Sequence, residues 1–595
     1  MDTPLVFWKS RLVARFTTTT SVSRMPANNR LTHTKTLFGR LLMSSRNHTR
    51  QTLAAAFTCV ALGGTIAALY LPGPATPLAS VRRDAGRDWP LFGGTVQRNL
   101  VNLKETGLPA TWSVEPGNEK NLVWSVPLGS KAYGGPIIAG GRIYIGTNND
   151  TPRDPAVVGD KGIMLCLDEK TGELIWQAVH DKLPAGRVND WPREGICSSP
   201  VVEGKRLWYI SNRCEIICAD AEGFRDGKND GIADETLTGP KNADVLWRVD
   251  MIKSLNVFPH NLATCSPLIV GDTLFLITSN GVDEGHINIP QPGAPSFLAV
   301  DKNSGKVLWS SNLPSASLVE ARKKSGGDVD IKKLVDQGKL LMHGQWSNPV
   351  YSEPNGKPVI IFPGGDGWVY AFKPDTGALL WKFDCNPKKS EYKLGGKGTR
   401  NDFVSTPVIW DNKLYIGVGQ DPEHDKGVGH LWCIDITKTP TNPELDLSPV
   451  GDNFDPKAPA NKDSALIWHY GGLAGDDYER NYFFGRTMST VAVHEGLLYT
   501  SEYDGWVHCL DARTGVKVWD HDMGSDTWSS TYWVDGRVFI GNEAGKLHVF
   551  QHGKQKKLLA TINMKAKIRA TPVASGGRVF MITENPCKLF CLGEK

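Results

Sequence analysis

The stretch YAFKPDTGALLW, residues 370–381, decides the fold. It reads as an apolar strand, an Asp, a Thr-Gly turn, and a second strand ending in tryptophan. The same pattern returns at LCLDEKTGELIW (165–176), LAVDKNSGKVLW (298–309) and HCLDARTGVKVW (508–519), with degenerate copies around Trp247 and Trp468. The glycine supplies the positive φ that a tight hairpin needs. The tryptophan is large enough to bury a wide apolar surface between neighbouring units.

Upstream of these units runs a second recurring element, an apolar strand pair that opens on a small residue and usually a proline. SSPVVEGKRLWYI (198–210) and ATPVASGGRVFMI (570–582) are two of eight copies. Eight units of four short strands predict an all-β, eight-bladed β-propeller of four-stranded antiparallel blades over residues 123–595. The two ends support this. NLVWSVPL (121–128) has the form of an outermost strand but precedes the first blade, while KLFCLGEK (588–595) ends without one. Pairing them closes the ring and removes an exposed sheet edge; a solenoid, the alternative, leaves both ends bare.

Composition agrees with many short strands and tight turns: 62 glycines and 19 tryptophans in 595 residues. The net charge of +4 gives no nucleic-acid face, because much of the basic excess sits in the N-terminal tail and the body carries mixed signs.

That tail, residues 1–50, is followed by a signal peptide or transmembrane anchor at 51–72 and by a linker and N-terminal segment packing on the propeller at 73–122. No acidic residue occurs between Asp2 and Asp84, and eight basic residues from Arg11 to Arg50 precede TLAAAFTCVALGGTIAALYL (52–71). The apolar run is long enough to span a bilayer, with the tail inside and the propeller outside. Started at Met43, the same residues read as a secretory signal. Both readings place the body outside the cytoplasm, periplasmic or extracytoplasmic, and membrane-associated if the segment stays uncleaved.

Cysteines follow the blades. Cys166, Cys218, Cys433, Cys509 and Cys591 share one repeat position with Ala299 and Ala371, so that position asks for a small buried residue and not a ligand or nucleophile. Ten cysteines follow the apolar segment, an even number that permits disulfides but does not pair them.

Long insertions at 147–162, 180–194, 280–297, 310–342, 384–402, 420–430 and 470–486 fall on one propeller face, and loops on a rigid scaffold are where function concentrates. Residues just before the innermost strands line the mouth of the central channel there: Tyr133, Arg193, Glu194, His260, Asn261, His343, Gln345, Trp346, Arg400, Asn401, Asp402, Arg486, Trp528 and Arg569. Clustered arginines with few acids point to a carboxylate- or phosphate-bearing ligand, and Asp402, Glu194 and His343 are candidate proton-transfer groups. On the opposite face, DGKNDGIAD places Asp226, Asp230 and Asp234 at every fourth residue. This could hold calcium, but Lys228 departs from the EF-hand pattern and a solvated turn is the simpler reading.

The repeat rhythm resembles the pyrroloquinoline-quinone-type repeat of the quinoprotein alcohol dehydrogenase superfamily, itself related in fold to WD40- and YVTN-like propellers. It also resembles the propeller of the outer-membrane β-barrel assembly machinery. WPLFGG (89–94) is similar to the opening of planctomycete-type exported quinone-repeat proteins. The dehydrogenase resemblance implies pyrroloquinoline quinone with Ca2+, a carboxylate base, and a disulfide between adjacent cysteines. Glu194, Asn261 and Asp402 are of suitable type, with Trp346 or Trp528 as a stacking surface. The sequence contains no Cys-Cys pair and no Cys-x-x-Cys-His haem motif. The reading placed first is therefore a binding or scaffold propeller at the cell envelope, with a small anionic molecule or an envelope protein as partner. A Ca2+-assisted quinone-dependent dehydrogenase of alcohols or sugars is the alternative. A hydrolase or lyase comes third, because no G-x-S-x-G motif is present.

Overall fold

A computed structural model describes residues 87–420, 424–449, 451, 463–476 and 478–594. The basic tail and the apolar segment 51–72 lie outside these residues. Among the described residues no helix is long and apolar enough to cross a membrane.

Eight antiparallel blades follow one another around a ring, spanning residues 137–181, 201–250, 268–311, 350–384, 408–484, 492–522, 532–563 and 573–592. The last blade takes its fourth strand from Leu122–Pro127, which pairs with Lys588–Leu592 in the register Trp124↔Cys591 and Ser125↔Phe590. The ring is thus closed by its two ends, as the bare strands at 121–128 and 588–595 require.

One rule holds the third and fourth strands of the blades together. The outer tryptophan stands opposite the small third-strand residue: Cys166↔Trp176, Cys218↔Trp247, Ala299↔Trp309, Ala371↔Trp381, Cys433↔Trp468, Cys509↔Trp519 and Cys591↔Trp124. The seventh blade reverses the sizes, with Val549↔Ala560. A small partner leaves room for the indole, and a bulge next to each pair turns the outer strand. All ten cysteines after the apolar segment are free thiols, so the even count does not reflect disulfides.

The tryptophans also join blade to blade. The indole N–H of Trp176 donates to Ala221 O at 2.9 Å, Trp309 to Pro374 O at 2.8 Å and Trp468 to Ala512 O at 3.0 Å, each acceptor lying in the outer turn of the following blade. In that turn an aspartate accepts from the backbone, as Asp511 Oδ1 does from Thr514 N at 3.0 Å.

Nothing in the repeat pattern hints at what fills the channel. Residues 89–105 reach the innermost strand, or the residues just before it, in all eight blades. Trp89 exchanges two backbone hydrogen bonds with Ile138, and Pro90 O accepts from Val202 N. Val96 O accepts from Tyr351 N, Gln97 O from Ile409 N, and Leu100 O from Trp533 N. Asn99 makes a paired amide contact with Val493, and Asn102 Nδ2 donates to Ala574 O. Arg98 covers the third and fourth blades. Its buried guanidinium donates to Ser266 O at 2.8 Å, Pro267 O at 3.1 Å and Pro349 O at 3.1 Å, and also to Phe92 O. An inner strand has one unpaired edge. This segment satisfies those edges and occupies the axis.

Candidate functional site

With the axis filled by residues 89–105, the insertion-bearing mouth is where side chains of different blades meet. Most mouth residues fall into two groups, one on blades three to five and one on blades seven, eight, one and two, while Arg486 precedes blade six.

The first group is built around imidazoles. His260 and His343, both buried, stand at the starts of the third and fourth blades, and His286 is brought to them by the insertion at 280–297. His260 Nε2 and His286 Nε2 are 3.0 Å apart. His260 Nδ1 lies 2.9 Å from Val282 O, and His343 Nδ1 lies 3.0 Å from Asp402 Oδ2. Trp346 covers the pair: its indole N–H donates to His260 O at 3.3 Å, and its ring centre is 5.4 Å from that of His343. His343 and Asp402 also line a small cavity with Tyr392, Arg400, Gln420 and His424. The space open to the centre of a water molecule there is about 20 Å³, room for one or two waters.

The second group is an aromatic and ionic cluster. Tyr133 and Trp528 stack with ring centres 5.9 Å apart, and the Arg569 guanidinium lies 4.1 Å from the Trp528 ring centre. Arg569 Nε donates to Glu543 Oε1 at 2.6 Å, and its Nη1 to Tyr133 Oη at 3.2 Å. Burial raises the Glu584 carboxyl above its usual range, although Arg569 (3.4 Å) and Lys131 (3.7 Å) oppose this. Burial would also raise Glu543, but the hydrogen bonds from Arg569 and Lys567 outweigh it and hold the group below the usual range. Glu194 belongs to this neighbourhood: its charge acts on Tyr133 and Glu584, and one of its carboxylate oxygens is buried without a hydrogen-bond partner.

The arginines correct the sequence expectation. Arg400 Nη2 donates to Asp384 Oδ1 at 2.7 Å and its Nε to Asp366 O at 2.9 Å, with both charged side chains 7% exposed. Arg486 Nη1 donates to the carbonyls of His424 and Asp425, and Arg569 is paired as above. Charge compensation comes from Asp384, Glu543 and Glu584, which sit at strand ends or on inter-strand loops and so escaped a set drawn from the starts of inner strands. Asn261, with φ of 63°, is a backbone joint: its N–H donates to Val188 O and its carbonyl accepts from Trp191 N. His286, His424 and Tyr392 were missed for the same reason as the acids. Their only sequence signal is that they lie in long insertions.

On the far face, Asp226 Oδ1 accepts from Lys228 N at 3.0 Å, Asp230 N donates to Asp244 Oδ2 at 3.1 Å, and Asp234 forms an ion pair with Arg248. The three exposed aspartates are tied into a turn, each with its own partner.

The family described as outer membrane protein assembly factor BamB matches residues 156–348 and 503–586. Over those stretches the blades are similar to the quinone-type repeat. Among curated relatives, the polyvinylalcohol dehydrogenase of a Sphingopyxis species is 24% identical over 395 residues, 61% of this chain and 51% of that protein. The chain therefore spans about half the length of that relative. The outer membrane protein assembly factor BamB of Shewanella oneidensis is 23% identical over 301 residues, 42% of this chain and 73% of that one. Among solved structures, the quinohemoprotein alcohol dehydrogenase of Comamonas testosteroni shares the fold with a TM-score of 0.54 at 13% identity, covering 87% of this chain and 82% of that one.

The mouth of this propeller does not gather the residues a calcium-bound tricyclic quinone would need. The three residues of suitable type lie in separate places: Glu194 near Tyr133 and Glu584, Asn261 in a loop joint, and Asp402 beside His343.

Proposed function

We propose that this chain is an extracytoplasmic binding and scaffold propeller of the cell envelope that works through its insertion-rich mouth. One observation carries the reading: residues 89–105 bond to all eight blades along the axis and leave the mouth as the working end of the ring. The likeness to an envelope assembly factor supports the location and the type of role. The mouth adds helices Ala316–Ser325 and Ile331–Asp336 and a short hairpin of Tyr392–Lys393 with Lys397–Gly398, which lie outside the four-stranded blades and supply the surface to which we assign partner binding. Since Arg400, Arg486 and Arg569 are already engaged, recognition there rests on imidazole, aromatic and loop-surface chemistry more than on free positive charge.

The test pairs a binding readout with an oxidoreductase readout on the full chain. Photo-crosslinking residues placed at Lys397 on the mouth and at Val516 on the far face are expected to give defined envelope-protein adducts from the first only. Incubation with pyrroloquinoline quinone and CaCl2 is expected to leave no bound quinone absorbance and no dye-linked alcohol oxidation. Stoichiometric quinone retention with turnover would replace this reading by the dehydrogenase. Equal adducts from both faces would remove the mouth as the working surface.

A further inference from the structure

We infer that His260, His286 and His343 form a binding site for a divalent late-transition-metal ion of the zinc class. The inference does not depend on the scaffold reading, because its ligand is an ion and its test is metal binding.

One ring nitrogen from each of the three lies within 4.8 Å of the other two. Zinc–imidazole bonds of about 2.0–2.1 Å place tetrahedral ligand nitrogens about 3.3 Å apart. The His260 and His286 Nε2 atoms, at 3.0 Å, are already near that spacing. Small side-chain rotations close the rest.

The far sides of two rings are arranged as a metal site requires. A carbonyl only accepts, so the contact of His260 Nδ1 with Val282 O puts the proton on Nδ1 and turns a lone pair on Nε2 toward His286. Asp402 stands beside His343 in a comparable place, its Oδ2 lying 3.0 Å from Nδ1 as an ion-pair contact. A histidine held through its second nitrogen by a carbonyl or carboxylate is the usual outer support of a metal ligand. His286 is presented by a loop tied at Asp283, whose Oδ1 accepts from Ile287 N at 2.8 Å and whose Oδ2 accepts from Asn288 Nδ2 at 2.7 Å. Simple aromatic packing would not need three ring nitrogens gathered at one point, with one ring held from behind by a carbonyl and another beside a carboxylate.

The donor type sets the ion. Imidazole nitrogens favour zinc, copper, nickel and cobalt, whereas calcium and magnesium take oxygen. His343 also borders the water-sized cavity of the mouth, so a fourth ligand can reach the ion from solvent. The proposed metal ligands differ from Glu194, Asn261 and Asp402, which the sequence resemblance implies for calcium; Asp402 enters here only beside His343.

The test uses the untagged full chain, stripped with a chelator and titrated with Zn2+ by calorimetry and with Co2+ by visible absorption. One submicromolar equivalent is expected, with a tetrahedral Co2+ spectrum and no response to millimolar Ca2+. His286→Ala, on the loop, should weaken binding at least 100-fold without changing the metal-free melting temperature, and His343→Gln should do the same. Asp402→Asn should weaken it roughly 10- to 100-fold. His494→Ala, from a second group with Glu495 and His552, should leave the site intact. Unchanged Zn2+ affinity in His286→Ala, or no stoichiometric binding in the wild type, would overturn the assignment. Loss of the bound equivalent in His494→Ala alone would move it to the other group.

Discussion

Gly377 lies against the indole of Trp309, so closely that a Cβ built on the glycine would meet the ring at 2.6 Å. The glycine ends the outer turn of the fourth blade, two residues before strand Leu379–Asp384, with φ of 67°, and the tryptophan belongs to the third. Gly515 and Trp468, and Gly172 and Trp124, repeat the contact. A turn requirement and an inter-blade contact thus converge on one atom that must be missing.

Trp309→Ala is expected to cost about 3–5 kcal/mol in chemical unfolding. Gly377→Ala is expected to lower stability by at least 1–2 kcal/mol, since left-handed backbone alone costs about that much for a residue with a Cβ. A double-mutant cycle should show strong non-additivity, because removing the indole relieves the clash. Additive costs would mean that the two residues do not touch.

The axial segment should be indispensable. Arg98→Ala removes a buried cation and strands carbonyls on the third and fourth blades, with an expected loss of about 3–5 kcal/mol. Deleting residues 80–126 also removes the closing strand and should give aggregation and a lower melting temperature. A deletion variant that stays monomeric and melts like the wild type would refute closure by Leu122–Pro127.

Arg400 and Asp384 form a buried pair, and removing either charge alone should destabilise by about 3–5 kcal/mol. Replacing both by apolar residues should cost less than either single change. Sulfate or phosphate should raise the melting temperature of wild type and Arg400→Ala equally. A selective loss of anion protection in the variant would restore the anion-binding reading of the mouth.

Burial pushes the thiols of Cys218, Cys509 and Cys591 up to about 12. At pH 8 these thiols should resist alkylation in the folded protein and react fully once it is unfolded. Mobility on gels with and without reductant should be identical.

Two groups in one crevice make opposite predictions about pH. Burial, with Arg213 and Arg248 adding to it, lowers the His180 imidazole from 6.5 to about 4. The folded form therefore binds this proton less readily than the unfolded chain. Its contribution, about 3 kcal/mol, is complete above pH 6.5 and is lost as pH falls toward 4. Burial raises Glu235 from 4.5 to about 7, so its contribution is complete below pH 4.5 and is lost as pH rises through 7. Urea unfolding between pH 4 and 7 should show a shallower acid loss in His180→Gln. In Glu235→Gln the decline toward pH 7 should be reduced.

What could be read directly was everything governed by local chemistry repeated in the chain. The Thr-Gly turn, the outer tryptophan and the small residue facing it recur because each blade solves the same packing problem, so blade number and the closing strand followed from the pattern. Histidines and arginines at the starts of inner strands could be placed at the mouth by the same logic.

The amino-acid sequence by itself determined the repeat, and with it the ring, because strand period, turn chemistry and side-chain size act over neighbouring residues. Only the tertiary structure decided the rest. It placed residues 89–105 along the axis, paired Arg400 with Asp384 and Arg569 with Glu543, and brought His286 from its insertion to His260 and His343. These contacts join residues of different blades or loops that have no periodic relation to one another. Their partners are fixed by ring closure and by the paths of irregular loops, where burying a charge or a backbone edge obliges it to find whatever complementary group the fold has carried there.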